Sequence, residues 1–274
     1  MSIFRYNNQD IFYEIDGEDN KPKLLILNGI MMSTKSWIPF IETLKEHFQV
    51  IRLDFFDQGQ SAKLDYFYTQ QIQIDLIKAL LDYLNIKKIN ITGISYGGEV
   101  ALLFACHYQN YVNRLMLFNS SAYTNPWLKD IGDGWIKAGN TRNGELYYKT
   151  TIPVIYSTKY YEEKLDWMQR REQILVPVFS NPIFLDAMER LTRSAESFDV
   201  RELLKDLNLP VLIVTAEADI LTPKKDQEYL YKNIKDSNWA IIPEVGHASM
   251  YENPSMFTTL ITGFFLIKEI KYNI

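Results

Sequence analysis

The sequence predicts an α/β protein with a mainly parallel sheet that helices cover on both faces. Short apolar runs of the length of a buried parallel strand recur along the chain, and segments with the apolar period of a helix lie between them. Because strand and helix alternate, successive strands are expected to run parallel and to be joined by helical crossovers. A chain of 274 residues, with 47% apolar and 23% charged residues, is long enough to bury the core of such a domain.

The predicted elements follow one another from the N-terminus. Residues 3–6 and 11–15 alternate apolar and polar side chains around a short polar turn, which predicts an antiparallel hairpin. Helical periodicity is clear over residues 72–84 and 100–105, between predicted strands. The six apolar runs predicted as parallel strands are residues 24–27, 50–53, 89–92, 115–118, 211–215 and 239–242.

The alternation stops between residues 122 and 198, where four glycines are followed by helical segments rich in Tyr and Trp. We interpret this segment, called the insertion below, as a small helical subdomain or as a lid over an apolar pocket, and the two interpretations are compatible. The chain is therefore divided into a core of residues 1–121 and 199–274 and a helical cap of residues 122–198. Trp127 and Trp135 of the cap are candidate substrate-binding residues.

Composition excludes several classes of function. A net charge of −5, from 29 basic and 34 acidic residues, provides no basic field for a phosphate backbone, so nucleic acid is not an expected partner. The single Cys106 excludes an intramolecular disulfide and a thiolate metal cluster, and no metal or other cofactor is predicted. The N-terminus lacks signal-peptide features, and the most apolar stretch, residues 256–267, is too short to span a bilayer. A cytoplasmic monomer or homodimer acting on a small molecule is expected.

The clearest motif is Gly-Ile-Ser-Tyr-Gly-Gly at residues 93–98, which follows a predicted strand and precedes a helix. This is the context of a nucleophile elbow, in which a strained turn projects the hydroxyl of Ser95 from the carboxyl edge of the sheet. The start of the next helix adds positive dipole and the N–H of Tyr96, which suit a developing oxyanion. A dinucleotide fingerprint would need a glycine where Ser95 stands, and a P-loop lysine is absent.

A serine nucleophile needs a base, and the chain has three histidines. His47 precedes a strand and His107 lies near the end of the helix that follows Ser95, so both are expected far from the carboxyl edge. His247 follows the last predicted strand directly and can lie on a loop at that edge. His247 is therefore the predicted base.

The third member of a triad should be a carboxylate on another loop after a strand, where it orients the imidazole. Asp219 and Glu217 both follow the run at residues 211–215. Asp219 is preferred because it lies further beyond the strand. The chain order Ser95, Asp219, His247 is that of α/β-hydrolases, not that of chymotrypsin-like or subtilisin-like proteases.

With these residues in place, the chain resembles the α/β-hydrolase superfamily of cap-bearing, single-domain serine hydrolases over nearly its whole length. Besides the serine turn and the two triad loops, Leu-Asn-Gly-Ile at residues 27–30 resembles the family's strand ending in His-Gly, and residues 54–61 resemble its D-x-x-G-x-G-x-S turn. The resemblance implies an eight-stranded sheet, a cap inserted after strand 6, and Ile30 N–H as the second oxyanion donor. Two residues depart from the pattern: Asn28 replaces the histidine and Asp57 the first glycine.

A serine at position 95 argues against the haloalkane dehalogenases and epoxide hydrolases of this superfamily, which need a carboxylate nucleophile. A carboxylesterase-like hydrolase is the leading interpretation, and lactone, thioester or C–C bond hydrolysis on the same triad is the alternative. A ligand sensor on the hydrolase fold is the alternative of another class. Aliphatic side chains near the expected edge, from Ile30, Met31, Met32 and Ile220, suggest an apolar substrate, and Met31 and Ile220 join the two tryptophans as candidate substrate-binding residues.

Overall fold

The fold is an open, mostly parallel sheet, seen in a computed structural model that describes residues 2–267. The eight strands follow the order β1-β2-β4-β3-β5-β6-β7-β8 across the sheet. Strand β2 runs antiparallel to β1 and β4, and every other neighbouring pair is parallel. The strands are β1 Ser2–Tyr6, β2 Gln9–Asp16, β3 Lys23–Leu27, β4 Gln49–Leu53, β5 Ile89–Ile94, β6 Val112–Phe118, β7 Val211–Ala216 and β8 Ser237–Ile242.

Eleven α-helices within residues 2–267 accompany the sheet. The mainly parallel eight-stranded α/β-hydrolase fold predicted from the sequence is confirmed. None of these helices has the length and apolar character needed to cross a membrane. The helices are α1 Ile38–Lys45, α2 Gln71–Tyr83, α3 Tyr96–His107, α4 Pro126–Asn140, α5 Gly144–Thr151, α6 Thr158–Glu163, α7 Leu165–Phe179, α8 Pro182–Ser194, α9 Lys224–Asn233, α10 Ser249–Glu252 and α11 Pro254–Leu266.

Helices cover both faces of the sheet, which explains why its inner strands are apolar throughout. On β3, Leu24 and Ile26 point into a cluster formed with α1 and α11, whereas Leu25 and Leu27 point into the cluster formed with α2 and α3. All four side chains are fully buried. Burial of each such side chain contributes about 1.5–3 kcal/mol, so neither face tolerates a polar strand residue cheaply. Because the six strands from β3 to β8 run parallel, their carboxyl ends lie at the same edge of the sheet.

The insertion lies between β6 and β7 and consists of α4 to α8. An isolated antiparallel bridge between Tyr123 and Asp199 joins its two ends. Two backbone hydrogen bonds flank the bridge, from Thr124 N to Phe198 O and from Val200 N to Ala122 O, both 2.9 Å long. Tyr147, Tyr148, Met168, Phe179 and Leu185 of the insertion are buried, in an apolar cluster that is continuous with the one between the sheet and helices α2 and α3.

A buried ion pair joins the insertion to the core. Asp57, on the loop after β4, has a fully buried side chain and a positive φ of 69°. Its carboxylate accepts from Arg190 of α8, with Nη2 to Oδ1 at 2.7 Å, and also from the hydroxyl of Tyr68 at 2.8 Å and the N–H of Leu64 at 3.1 Å. Asp57 stands where the family pattern has glycine, and the structure thus shows that the departure supplies a carboxylate for an arginine in the insertion.

Replacement of Arg190 by methionine is expected to lower the free energy of unfolding by about 3 kcal/mol, because it leaves the Asp57 carboxylate buried without its cation. The matched control is Arg193→Met on the same helix. Arg193 forms an ion pair with Glu189 in which both side chains are partly exposed. Arg193→Met should therefore lower the free energy of unfolding by less than about 1 kcal/mol. Urea denaturation at neutral pH measures both variants, and equal losses would contradict a structural role for the Asp57–Arg190 pair.

Candidate active site

Ser95 occupies a strained turn between β5 and α3. Its φ of 55° and ψ of −125° lie outside the regions that residues with a side chain normally adopt. The turn is possible because the adjacent backbone segments meet closely: a Cβ on Gly93 would overlap the carbonyl oxygen of Gly97, and a Cβ on Gly97 would overlap that of Leu27. The N–H of Ser95 donates to Phe118 O at 2.9 Å, which ties the turn to the end of β6.

Asp219 and His247 form the second part of the site. His247 Nδ1 lies 2.7 Å from Asp219 Oδ2, and both side chains are buried. The remaining acceptor positions of the carboxylate are filled by Leu221 N at 2.8 Å, Thr222 N at 3.1 Å and the hydroxyl of Thr222 at 2.8 Å. This ring of donors holds the carboxylate in one orientation, with one oxygen directed at the imidazole.

The alternative residues lie elsewhere. Glu217 is exposed, and its carboxylate accepts from the N–H of Glu244 instead of approaching the imidazole. His47 and His107 are exposed: His47 lies two residues beyond α1, and His107 is the last residue of α3. Of the residues considered from the sequence, the structure brings Asp219 and His247 together and keeps these three apart.

The loop that carries His247 is held by residues that sequence reasoning missed. Asn119, fully buried at the end of β6, donates from Nδ2 to His247 O at 2.7 Å and accepts at Oδ1 from Ala216 N at 3.0 Å. Glu252 accepts from Gly246 N at 3.0 Å, and also from Ser157 N at 2.9 Å and Ser157 Oγ at 2.6 Å in the insertion. A polar residue directly after a buried strand was the signal that could have indicated Asn119.

Ile30 and Tyr96, whose N–H groups are the expected oxyanion donors, line the same cavity as Ser95. Neither of these N–H groups donates a hydrogen bond to an acceptor within residues 2–267. The loop with Ile30 is fixed by Asn28, whose Nδ2 donates to Leu53 O at 2.8 Å and to Gln58 Oε1 at 3.0 Å. Gln58 in turn donates to Gly29 O at 2.9 Å. The amide of Asn28 thus ties this loop to the end of β4 in place of the family's histidine.

Two cavities meet at Ser95 and His247. One has about 680 Å³ and the other about 750 Å³ of free space, counting the part that is open to solvent, and Ile30, Trp135, Ser95 and His247 line both of them. The larger cavity also receives Met31 and has mostly apolar walls. The site therefore has room for a group on either side of the serine.

The predicted binding residues divide into two pairs. Met31 and Trp135 line the cavities, whereas Trp127 and Ile220 do not and are 54% and 55% exposed. The indole N–H of Trp127 contacts Ile220 O at 3.4 Å on the outside of the site. The helical period explains this difference, because Trp127 is off the stripe of α4 that faces the cavity. That stripe contains Leu128, Ile131, Gly132 and Trp135.

A buried carboxyl group, Glu99, lines the smaller cavity on the first turn of α3. It accepts hydrogen bonds from Gln70 Nε2 at 2.9 Å and from Ser121 Oγ at 3.2 Å. Burial raises the pKa of Glu99 to about 7, and these two hydrogen bonds offset the rise in part. Its neutral form is therefore well populated near neutral pH.

Within residues 2–267, no group of three or more His, Cys, Asp or Glu side chains is arranged to hold a metal ion. An open, mostly parallel sheet with a strained serine between strand and helix is the architecture of the α/β class of hydrolases. A model of that family, described as alpha/beta hydrolase fold, matches residues 22–151. MGS-M2, an alpha/beta hydrolase enzyme from a Medee basin deep-sea metagenome library, is 49% identical, with 100% of each chain covered and a TM-score of 0.97. The chain belongs to the α/β-hydrolase family and is similar to hydrolases throughout its length.

More distant relatives carry specific names. The chain is 26% identical to 3-oxoadipate enol-lactonase 1 of Acinetobacter baylyi, over 99% of this chain and 98% of that protein. It is 25% identical to the 2-hydroxy-6-oxo-6-(2'-aminophenyl)hexa-2,4-dienoic acid hydrolase of Metapseudomonas resinovorans, over 91% of this chain and 86% of that protein. Relatives with different substrates thus share this scaffold, so the scaffold alone does not select the scissile bond.

Glu99 makes stability depend on pH. Because its pKa is raised in the folded protein, the folded state holds a proton that the unfolded state releases, so stability falls as pH rises from about 4.5 to about 7. Glu99→Gln should remove up to about 3 kcal/mol of this fall. Urea denaturation at about pH 5 and about pH 8 measures the fall. The exposed Glu46→Gln is the control, and an unchanged pH slope in Glu99→Gln would contradict the assignment.

Proposed function

We propose that this protein is a serine hydrolase that cleaves a carboxylic ester of a small, largely apolar substrate. The observation that carries the proposal is the buried contact of 2.7 Å between His247 Nδ1 and Asp219 Oδ2, in a site where His247 lines the same cavities as Ser95. Membership in a family of hydrolases supports it.

In the proposed reaction, Ser95 Oγ attacks the ester carbonyl while His247 Nε2 takes its proton. Asp219 holds the Nδ1 proton of the imidazole and stabilises the positive charge that forms there. The N–H groups of Ile30 and Tyr96 bind the oxyanion, and neither N–H has a competing acceptor within residues 2–267. His247 then returns its proton to the leaving alcohol, and a water molecule, activated by the same base, hydrolyses the acyl-enzyme.

The insertion acts as the cap of this site in our proposal, with residues 122–198 as its extent. Trp135 of α4 lies between the two cavities, and Tyr156 and Phe179 wall the larger one. An acyl chain in one cavity and a leaving group in the other would place the carbonyl at Ser95. The apolar walls exclude water and favour a hydrocarbon or aromatic group.

A lactone is the second candidate substrate, because the relative from Acinetobacter baylyi is named an enol-lactonase and aligns with nearly the whole chain. The same residues would open a cyclic ester without releasing a separate alcohol. A panel of p-nitrophenyl esters, lactones, acyl-thioesters and a cleavable diketone separates these activities by their relative kcat/KM. Multiple turnovers of any one of them would contradict a sensor that retains its ligand.

Ser95→Ala and His247→Ala should each lower kcat by about 10⁴-fold or more with little effect on folding, because triad members act as a unit. The measurement is kcat for the best ester of the panel, together with the unfolding transition. Labelling by a fluorophosphonate, mapped to the peptide that contains Ser95, provides an independent check. Turnover near that of the wild type in either variant would refute the nucleophile or the base.

Asp219→Asn should lower kcat by about 10²- to 10⁴-fold, since the imidazole loses the partner that fixes its tautomer. The matched control is Glu217→Gln, two residues away on the same loop but exposed, for which kcat should stay within about threefold of the wild type. If the order of the two effects were reversed, Glu217 would be the acid.

A further inference from the structure

The larger cavity contains an arginine with unused hydrogen-bonding groups. Arg171 of α7 lines this cavity together with Ser95 and His247. Its guanidinium donates to no acceptor and pairs with no carboxylate within residues 2–267. Its Nε is buried from solvent without a partner. A buried N–H of a charged group that lacks an acceptor is costly, which indicates that an acceptor is supplied from outside the chain.

The guanidinium is nevertheless held in place. It lies over the rings of Trp167 and Tyr251, with Cζ 5.2 and 5.0 Å from the ring centroids. These cation–π contacts hold the guanidinium beside the two rings without using its N–H donors. The hydroxyl of Tyr156, on the wall of the same cavity, also makes no hydrogen bond within residues 2–267. Two donors are thus positioned in a cavity whose other walls are mostly apolar.

Other arginines of the insertion differ from Arg171. Arg190 pairs with Asp57, Arg193 with Glu189, and Arg142 with Asp186. Arg170, the neighbour of Arg171 on α7, is exposed and can be hydrated. Arg171 alone among these five combines a position in a cavity with an unpartnered guanidinium.

We propose that Arg171 binds a carboxylate of the substrate, so that the preferred substrates are esters or lactones that carry a carboxylate besides the scissile group. The proposal rests on the hydrolase function proposed above and adds the chemical class of its substrate. A single guanidinium presents a planar fork that matches one carboxylate in a bidentate contact. A phosphate dianion would need more donors than this wall offers. Bound in this way, the carboxylate would orient the carbonyl toward Ser95.

The test uses two esters that differ in one charge, benzyl hydrogen glutarate and its neutral counterpart, benzyl methyl glutarate. The first measurement is kcat/KM for both in the wild type, from the release of benzyl alcohol. The wild type should prefer the monoanion, and Arg171→Met should lower the ratio of the two kcat/KM values by about 10- to 100-fold. Arg170→Met, with the same change on the same helix, should leave the ratio unchanged. An unchanged ratio in Arg171→Met would overturn the proposal.

The second measurement is binding of the same two esters by calorimetry in the Ser95→Ala background, which does not depend on turnover. The monoanion should bind about 10- to 100-fold more weakly when Arg171→Met is added, and with unchanged affinity when Arg170→Met is added. Loss of hydrolysis in the wild type with this binding pattern intact would refute the ester function and keep the carboxylate site. Suppose instead that the wild type hydrolyses the esters, but that the monoanion binds equally to Ser95→Ala and to the two variants with Arg171→Met or Arg170→Met added. That result would refute the carboxylate site and keep the ester function.

Arg171→Lys serves as a second variant in both measurements, since it keeps the charge and most of the stem but not the planar fork. The preference for the monoanion should fall between those of the wild type and Arg171→Met. If Arg171→Met fails to fold, a wild-type preference in Arg171→Lys would overturn the bidentate contact that the proposal requires.

Discussion

The close approach of α3 to the ends of β5 and β3 is the constraint on which the rest of the site depends. Glycine at positions 93 and 97 lets backbone atoms meet where any side chain would overlap a carbonyl oxygen. The chain can make this approach only by turning sharply at Ser95, which leaves that residue at a φ of 55°. The strain costs on the order of 1–3 kcal/mol and is maintained by the buried packing on both faces of the sheet. The position of Ser95 on the cavity walls is thus a product of core packing.

The polar groups around the Ser95 turn are arranged to provide partners for the backbone groups at the ends of the strands. Six parallel strands end at one edge, where their last N–H and C=O groups need partners. Asn119 supplies both a donor and an acceptor there, to His247 O and Ala216 N. The carboxylate of Asp219 has its acceptor positions filled by backbone and hydroxyl donors, apart from the one that His247 uses. The imidazole is therefore positioned before any ligand is bound, as electrostatic preorganisation requires.

Most of the fold could be predicted from the sequence, because each strand is a short buried run bounded by turns and the alternation with helices leaves few topologies. The contact of His247 with Asp219 was also expected from the order of loops after strands. The ion pair of Asp57 with Arg190 was not, since its partners are 133 residues apart and nothing local in either segment indicates the other. Glu99 was missed for a related reason: its burial and raised pKa come from segments that pack on it from a distance. The residues that line the cavities could be predicted only in part, because the rotation of α4 about its axis determines which of its tryptophans faces inward.

Glu252 connects features that are far apart in the chain. One carboxylate holds both the N–H of Gly246, next to His247, and the N–H and hydroxyl of Ser157 in the insertion. A displacement of the insertion therefore pulls on the loop that positions the imidazole. Ala248, next to His247, adds a second connection, since its N–H donates to Ile155 O at 3.0 Å. The loop that carries the imidazole and the insertion are therefore joined on both sides of His247 and cannot be positioned independently of each other.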